Sequence, residues 1–92
     1  MLVTLRADQT IPIRIYGTTW CGDCHMARAF FEQQGIPYEW IDPDLDPEAE
    51  AFVLRVNNGL RSVPTIVFPD GSLLVEPSIA ALSRKLGTQQ AE

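Results

Sequence analysis

Apolar residues fall in two kinds of stretch along this 92-residue chain. Ile11 to Tyr16, Pro37 to Ile41, Thr65 to Phe68 and Leu73 to Val75 are short and rich in β-branched or aromatic residues, which predicts strands. The other stretches space their apolar residues three and four apart and predict helices. In the first helix Ala27, Phe30, Phe31 and Gln34 recur from Gly22 onward, and Gly35 supplies the stop. The second opens at Asp46-Pro47, a capping side chain followed by a residue whose missing N–H costs nothing at the first position. Phe52, Val53, Val56 and Leu60 mark its apolar face, and Asn57-Asn58-Gly59 ends it. The third opens at Pro77-Ser78, buries Ile79, Leu82 and Leu86, and closes on Arg84-Lys85 and Gly87. Residues 1–11 carry a possible short strand and a loop over Ala7 to Thr10. Thr88 to Glu92 reads as a frayed tail.

The resulting order is β-α-β-α-β-β-α. A βαβ unit joins parallel strands by a right-handed crossover. The tight turn at Asp70-Gly71 makes the last two strands antiparallel. One four-stranded mixed sheet flanked by three helices satisfies both, an α/β fold in a single domain over residues 1–92 with its core at about 12–87.

Composition narrows the function. With 46% hydrophobic residues the chain can bury a modest core. A net charge of −5 without a Lys/Arg cluster argues against nucleic acid. Six of the twelve acids lie between Glu39 and Glu50 and read as a solvated loop and helix start. No apolar run is long enough for a membrane, and the N-terminus lacks the pattern of a signal peptide, so the cytoplasm is the expected location.

The two cysteines stand in Trp20-Cys21-Gly22-Asp23-Cys24, where the first strand hands over to the first helix. That is the carboxyl edge of the sheet, where such folds place their sites. Unpaired N–H groups and the helix dipole favour a thiolate at Cys21, and a thiol one turn on lies within disulfide reach. Cys21 is therefore the expected nucleophile and Cys24, more buried, the expected resolver of a mixed disulfide. Asp23 opposes ionisation of Cys21, so a less acidic thiol than in a neutral CxxC is expected. Val63-Pro64 precedes the third strand. A cis bond there would turn Val63 toward the thiols and leave its backbone groups to pair with an extended substrate.

The segments Ile13 to Cys24, Arg61-Ser62-Val63-Pro64-Thr65, Asp70-Gly71-Ser72 and Pro77-Ser78 resemble the glutaredoxins, and their mycoredoxin-like branch most closely. The resemblance implies a thioredoxin fold with Pro64 cis opposite Cys21. It also implies thiol–disulfide exchange between disulfide-containing proteins and a low-molecular-weight thiol, with no tightly bound cofactor. Gly22-Asp23 replaces the Pro-Tyr of glutathione-using members. Thr18 stands where they often carry Lys, and Leu74-Val75-Glu76-Pro77-Ser78 replaces their Gly-Gly-x-Ser-Asp. Two charge-assisted contacts, each worth about 1.5–3 kcal/mol, are thereby missing. The co-substrate expected is mycothiol in preference to glutathione, with Trp20, Arg61, Val63, Pro64 and Glu76 as thiol- or substrate-binding candidates. Trp20 is a wall for the thiol or a core residue; Arg61 meets a carboxylate or faces solvent. Tyr38 and Trp40 are expected to pack on a helix, and Met26 to fill space.

Rival readings are weaker. Cys21-Gly22-Asp23-Cys24-His25 matches c-type haem attachment, which needs export and an axial partner. Structural zinc wants four ligands and there is no second cluster; a subunit-bridging iron–sulfur cluster on Cys21 is a minority option against Trp20 and Cys24. A binding module that merely retains the fold would not need both thiols. Within the same chemistry, the alternative is a thioredoxin-like electron donor recharged directly by a flavin-dependent disulfide reductase, for example to ribonucleotide reductase.

Overall fold

The computed structural model describes residues 12–87. The possible strand within residues 1–11 and the tail from Thr88 lie outside the described residues. The chain runs β1 (Ile13–Tyr16), α1 (Gly22–Gln33), β2 (Tyr38–Ile41), α2 (Pro47–Val56), β3 (Thr65–Val67), β4 (Leu73–Val75) and α3 (Ile79–Leu86). The four strands form one mixed sheet in the order β2-β1-β3-β4. β1 pairs with β2 in parallel, from Ile13 opposite Tyr38 to Tyr16 opposite Ile41. β3 is antiparallel to both β1 and β4.

Both faces of the sheet are covered, which is why β1 alternates only partly between apolar and polar residues. One face packs Ile15 and Ile66 with Ala27, Phe30 and Phe31 of α1 and Leu82 of α3. The other packs Tyr16 with Ala49 and Val53 of α2, and Phe52 stacks on Tyr16 at 4.8 Å between ring centres. Successive β1 side chains therefore serve opposite layers.

Helix boundaries follow local chemistry. Gly35 ends α1 at φ +68°, with its N–H donating to Glu32 O at 3.2 Å and the Ile36 N–H to Phe31 O at 2.9 Å. This paired closure needs a left-handed residue, which Gly supplies without strain. Asp46 caps α2, its Oδ1 accepting from Glu48 N at 3.0 Å and Ala49 N at 3.4 Å. Ser78 caps α3 by accepting from Ala81 N at 3.0 Å.

Three expectations are corrected. Leu60 follows the end of α2 and is 65% exposed rather than part of its apolar face, because Asn57 already caps the helix. Gln34 is the exposed cap of α1 and leaves the core face to Phe30 and Phe31. Met26 points outward at 57% exposure, since Ala27 and Phe30 take the inward positions of that turn. Tyr38 and Trp40 do pack against α1. Tyr38 meets Phe31 edge-on, and Trp40 stacks with His25 under the Arg28 guanidinium.

Candidate functional site

The loop from β1 to α1 is tied down at both ends. Gly17 N–H donates to Ile41 O at 3.0 Å, extending the β1–β2 pairing, and Cys21 N–H donates to Thr18 O at 3.4 Å across the turn at Thr19-Trp20. Cys21 then becomes the N-cap of α1: its backbone is extended and its Sγ accepts the Cys24 N–H at 3.1 Å. A thiol sulfur thus occupies the place usually filled by a Ser or Asp oxygen.

Both cysteines are free thiols in very different surroundings. Cys21 is half-buried, whereas Cys24 is fully buried. Burial, followed by the hydrogen bond with Cys21, pushes the Cys24 thiol up to about 12. Thr18 beside this loop is also fully buried, and its hydroxyl finds no hydrogen-bond partner among the described residues.

Gly17 makes room for Cys24. A Cβ at Gly17 would stand 2.8 Å from the Trp40 ring and 3.1 Å from both Cβ and Sγ of Cys24. Gly17→Ala should therefore destabilise the protein by about 1–3 kcal/mol, as overpacked cores do. A urea midpoint unchanged from wild type would show that the layer gives way freely.

On the opposite side the Val63–Pro64 bond is cis. Pro64 is buried, and the Val63 carbonyl accepts from the Cys21 thiol at 3.8 Å. That carbonyl thus faces the Cys21 thiol at long sulfur hydrogen-bond distance in the free protein. Thr65 anchors the loop by donating to Ser62 O at 2.7 Å while accepting from Asn57 Nδ2 at 3.1 Å. Glu76 N–H donates to Pro64 O at 2.8 Å, and Glu76 itself sits at φ +49°, a region that favours glycine. Asp23, Met26, Glu76, Pro77 and Ile79 are among the residues lining a cleft of about 340 Å³ between the starts of α1 and α3.

Trp20 and Arg61 complete the surroundings, and both differ from one reading of them. Trp20 is 67% exposed, which removes the core alternative. Its Nε1 donates to Asp44 Oδ2 at 2.8 Å. Arg61 is partly exposed but paired: Nη2 donates to Asp44 Oδ1 at 2.6 Å and Nε to Glu50 Oε2 at 3.1 Å. The Trp20 indole first, and then Arg61, hold the Asp44 carboxyl below the usual carboxylate range. The acidic run from Glu39 to Glu50 is thus more than a solvated face. Nothing in the local pattern singles out Asp44 and Glu50, because their partners lie 17 and 11 residues further on.

The structure therefore brings Trp20, Cys21, Val63 and Pro64 to one end of the sheet, with Glu76 hydrogen-bonded to Pro64 and Arg61 reached through Asp44. Among the described residues no group of three or more His, Cys, Asp or Glu side chains is arranged to hold a metal ion. No described helix is long and apolar enough to cross a membrane.

A βαβ unit followed by a ββα unit, with a CxxC at the first strand–helix junction and a cis-proline before the third strand, defines a thioredoxin-like fold. A solved thioredoxin-like protein superposes with a TM-score of 0.69 at 26% identity, covering 78% of this chain and 96% of that one. The Glutaredoxin family profile matches residues 13–74. A Mycobacterium tuberculosis protein named as a glutaredoxin is 39% identical over 77 residues, 84% of this chain and 92% of that protein. Mycoredoxin 1 of Corynebacterium glutamicum is 36% identical over 74 residues, 80% of this chain and 91% of its own length. The chain belongs to the glutaredoxin family.

Proposed function

We propose that the protein is a thiol–disulfide oxidoreductase of the cytoplasm that reduces mixed disulfides between proteins and a low-molecular-weight thiol. One observation carries this reading: the half-buried Cys21 caps α1 and faces Val63 beside a cis-proline, while the second thiol lies buried one turn behind. Cys21, as the thiolate, attacks the small-thiol sulfur of the mixed disulfide. A Cys21–small-thiol bond forms, the old S–S bond breaks, and the protein sulfur leaves with the electron pair and takes up a proton.

Two routes regenerate Cys21. A second small-thiol thiolate attacks the adduct at the small-thiol sulfur, releasing Cys21 and the symmetrical small disulfide. Alternatively Cys24 attacks Cys21 Sγ, expels the small thiol and leaves a Cys21–Cys24 disulfide. With its thiol near 12, Cys24 has a thiolate fraction that rises about tenfold per pH unit through neutrality and above. Burial, the largest cause, persists in the mixed disulfide and disfavours the Cys24 route at neutral pH.

Thr18 in place of Lys, and Leu74-Val75-Glu76-Pro77-Ser78 in place of the Gly-Gly-x-Ser-Asp segment, favour mycothiol over glutathione. The relative named mycoredoxin 1 supports the same choice. Trp20, Val63, Pro64 and Glu76 would contact the thiol or its protein. A second reading, a thioredoxin-like donor recharged by a flavin-dependent reductase, is favoured by the complete dithiol and the thioredoxin-like neighbour.

Cys24→Ser, offered mycothiolated and glutathionylated forms of one protein in parallel, separates them. It is expected to keep turnover with mycothiol and to run about a hundredfold or more slower with glutathione, the equivalent of the two missing charge-assisted contacts. Failure with both adducts, alongside turnover of the unaltered dithiol by a flavin reductase, selects the second reading.

A further inference from the structure

We propose that Asp44 is a specificity-determining residue: by engaging Arg61 and Trp20 with its two carboxylate oxygens, it withholds the guanidinium from thiols that carry carboxylates. The inference rests on the mixed-disulfide reading above and sharpens it.

Asp44 belongs to neither thiol loop, yet it joins the two halves of the site. Its Oδ2 accepts from Trp20, the residue before Cys21, and its Oδ1 accepts from Arg61, two residues before Val63. The carboxylate is set in place by its own turn, since Asp44 N–H donates to Asp42 Oδ1 at 2.8 Å and Leu45 N–H to Asp42 O at 3.0 Å. A carboxylate held in this way need not reorganise when a ligand arrives.

Arg61 is occupied along its edge, through Nε by Glu50 and through Nη2 by Asp44. One guanidinium against two carboxylates leaves the cluster with a charge of −1. A ligand carboxylate would have to displace a bound carboxylate or approach a net negative charge. Asp23 and Glu76 on the other flank add the same sign. What suits this wall is a thiol whose far end carries hydroxyl or amine groups. Those groups lie against the exposed indole face, whose orientation Asp44 fixes through Nε1.

The test measures reduction of one target protein carrying either glutathione, which bears two carboxylates, or 2-mercaptoethanol, which bears none. The readout is the ratio of second-order rate constants, glutathione adduct over neutral adduct, so a loss common to both cancels. Asp44→Asn is expected to raise that ratio about two- to fivefold, the scale of a partly exposed charge pair. The gain should lie in KM and shrink at about 0.5 M salt. Adding Arg61→Gln to Asp44→Asn should abolish it. Glu50→Gln, which frees Nε alone, should give a smaller rise in the same direction and serves if Asp44→Asn does not fold.

An unchanged or lower ratio in the folded variant overturns the proposal, as does a gain that survives Arg61→Gln. If the wild type reduces neither adduct, the parent reading fails instead. If it reduces the neutral adduct and no variant shifts the ratio, only the role of Asp44 falls.

Discussion

Cys21→Ser is expected to lower reduction of protein mixed disulfides by on the order of a thousandfold or more, leaving the rate of the small thiol alone. The reason is chemical, because the hydroxyl is scarcely ionised at neutral pH and Cys24 cannot substitute. Cys24 is fully buried with its thiol near 12, so it offers neither access nor thiolate. The fold should survive, since Ser is a preferred N-cap and its Oγ can accept the Cys24 N–H as Sγ does now. A native alkylation assay supplies an independent reading. Cys21→Ser should be nearly inert to reagent, whereas Cys24→Ser should react as the wild type does. Turnover above a tenth of wild type in Cys21→Ser would sink the nucleophile assignment.

Phe31→Ala should cost about 3–5 kcal/mol of stability. Phe31 is fully buried in the layer between α1 and the sheet, where Phe30 and Tyr38 meet it edge-on at 6.4 and 5.7 Å between ring centres. Neither neighbour can fill the space. Tyr38 is held by its hydroxyl, which accepts from Arg28 Nε and donates to Glu32, and Phe30 is already packed at 4% exposure. Domains of this size are commonly stable by about 5–15 kcal/mol, so the variant would lose a large part of the total. Urea denaturation gives the value directly. A loss below about 1 kcal/mol would mean that the layer collapses around the gap.

The elements were legible because each boundary is chemically local. Asp46-Pro47, Ser78, Gly35 and Gly87 announce helix ends within a residue or two, and Asp70-Gly71 announces a hairpin. The CxxC, its place after β1 and Val63-Pro64 were legible as a site for the same reason: their meaning lies in spacing and order. Side-chain partnerships across the fold were not. Leu60 fits the period of α2 although the helix has already ended, and Met26 falls in a helical stretch whose facing is settled only by packing. The sequence leaves Trp20 and Arg61 between alternatives because an indole or guanidinium is committed by its partner. Here that partner is one carboxylate in a run of acids. Gly17 gives no sign in sequence that Cys24 and Trp40 close over it.

The double-sided packing of β1 also bears on which molecule yields in an encounter. Ile15 is locked into one layer and Tyr16 into the other, so the strand leading to Cys21 has no face from which to peel away. Its amides are expected to exchange only through global unfolding, later than those of the short edge strand β4. On the proposed function, a target protein docking here would meet a strand packed on both faces. The conformational entropy of presenting a disulfide is therefore lost mainly by the target, and reduction should be fastest for disulfides in segments that are already extended and loosely held.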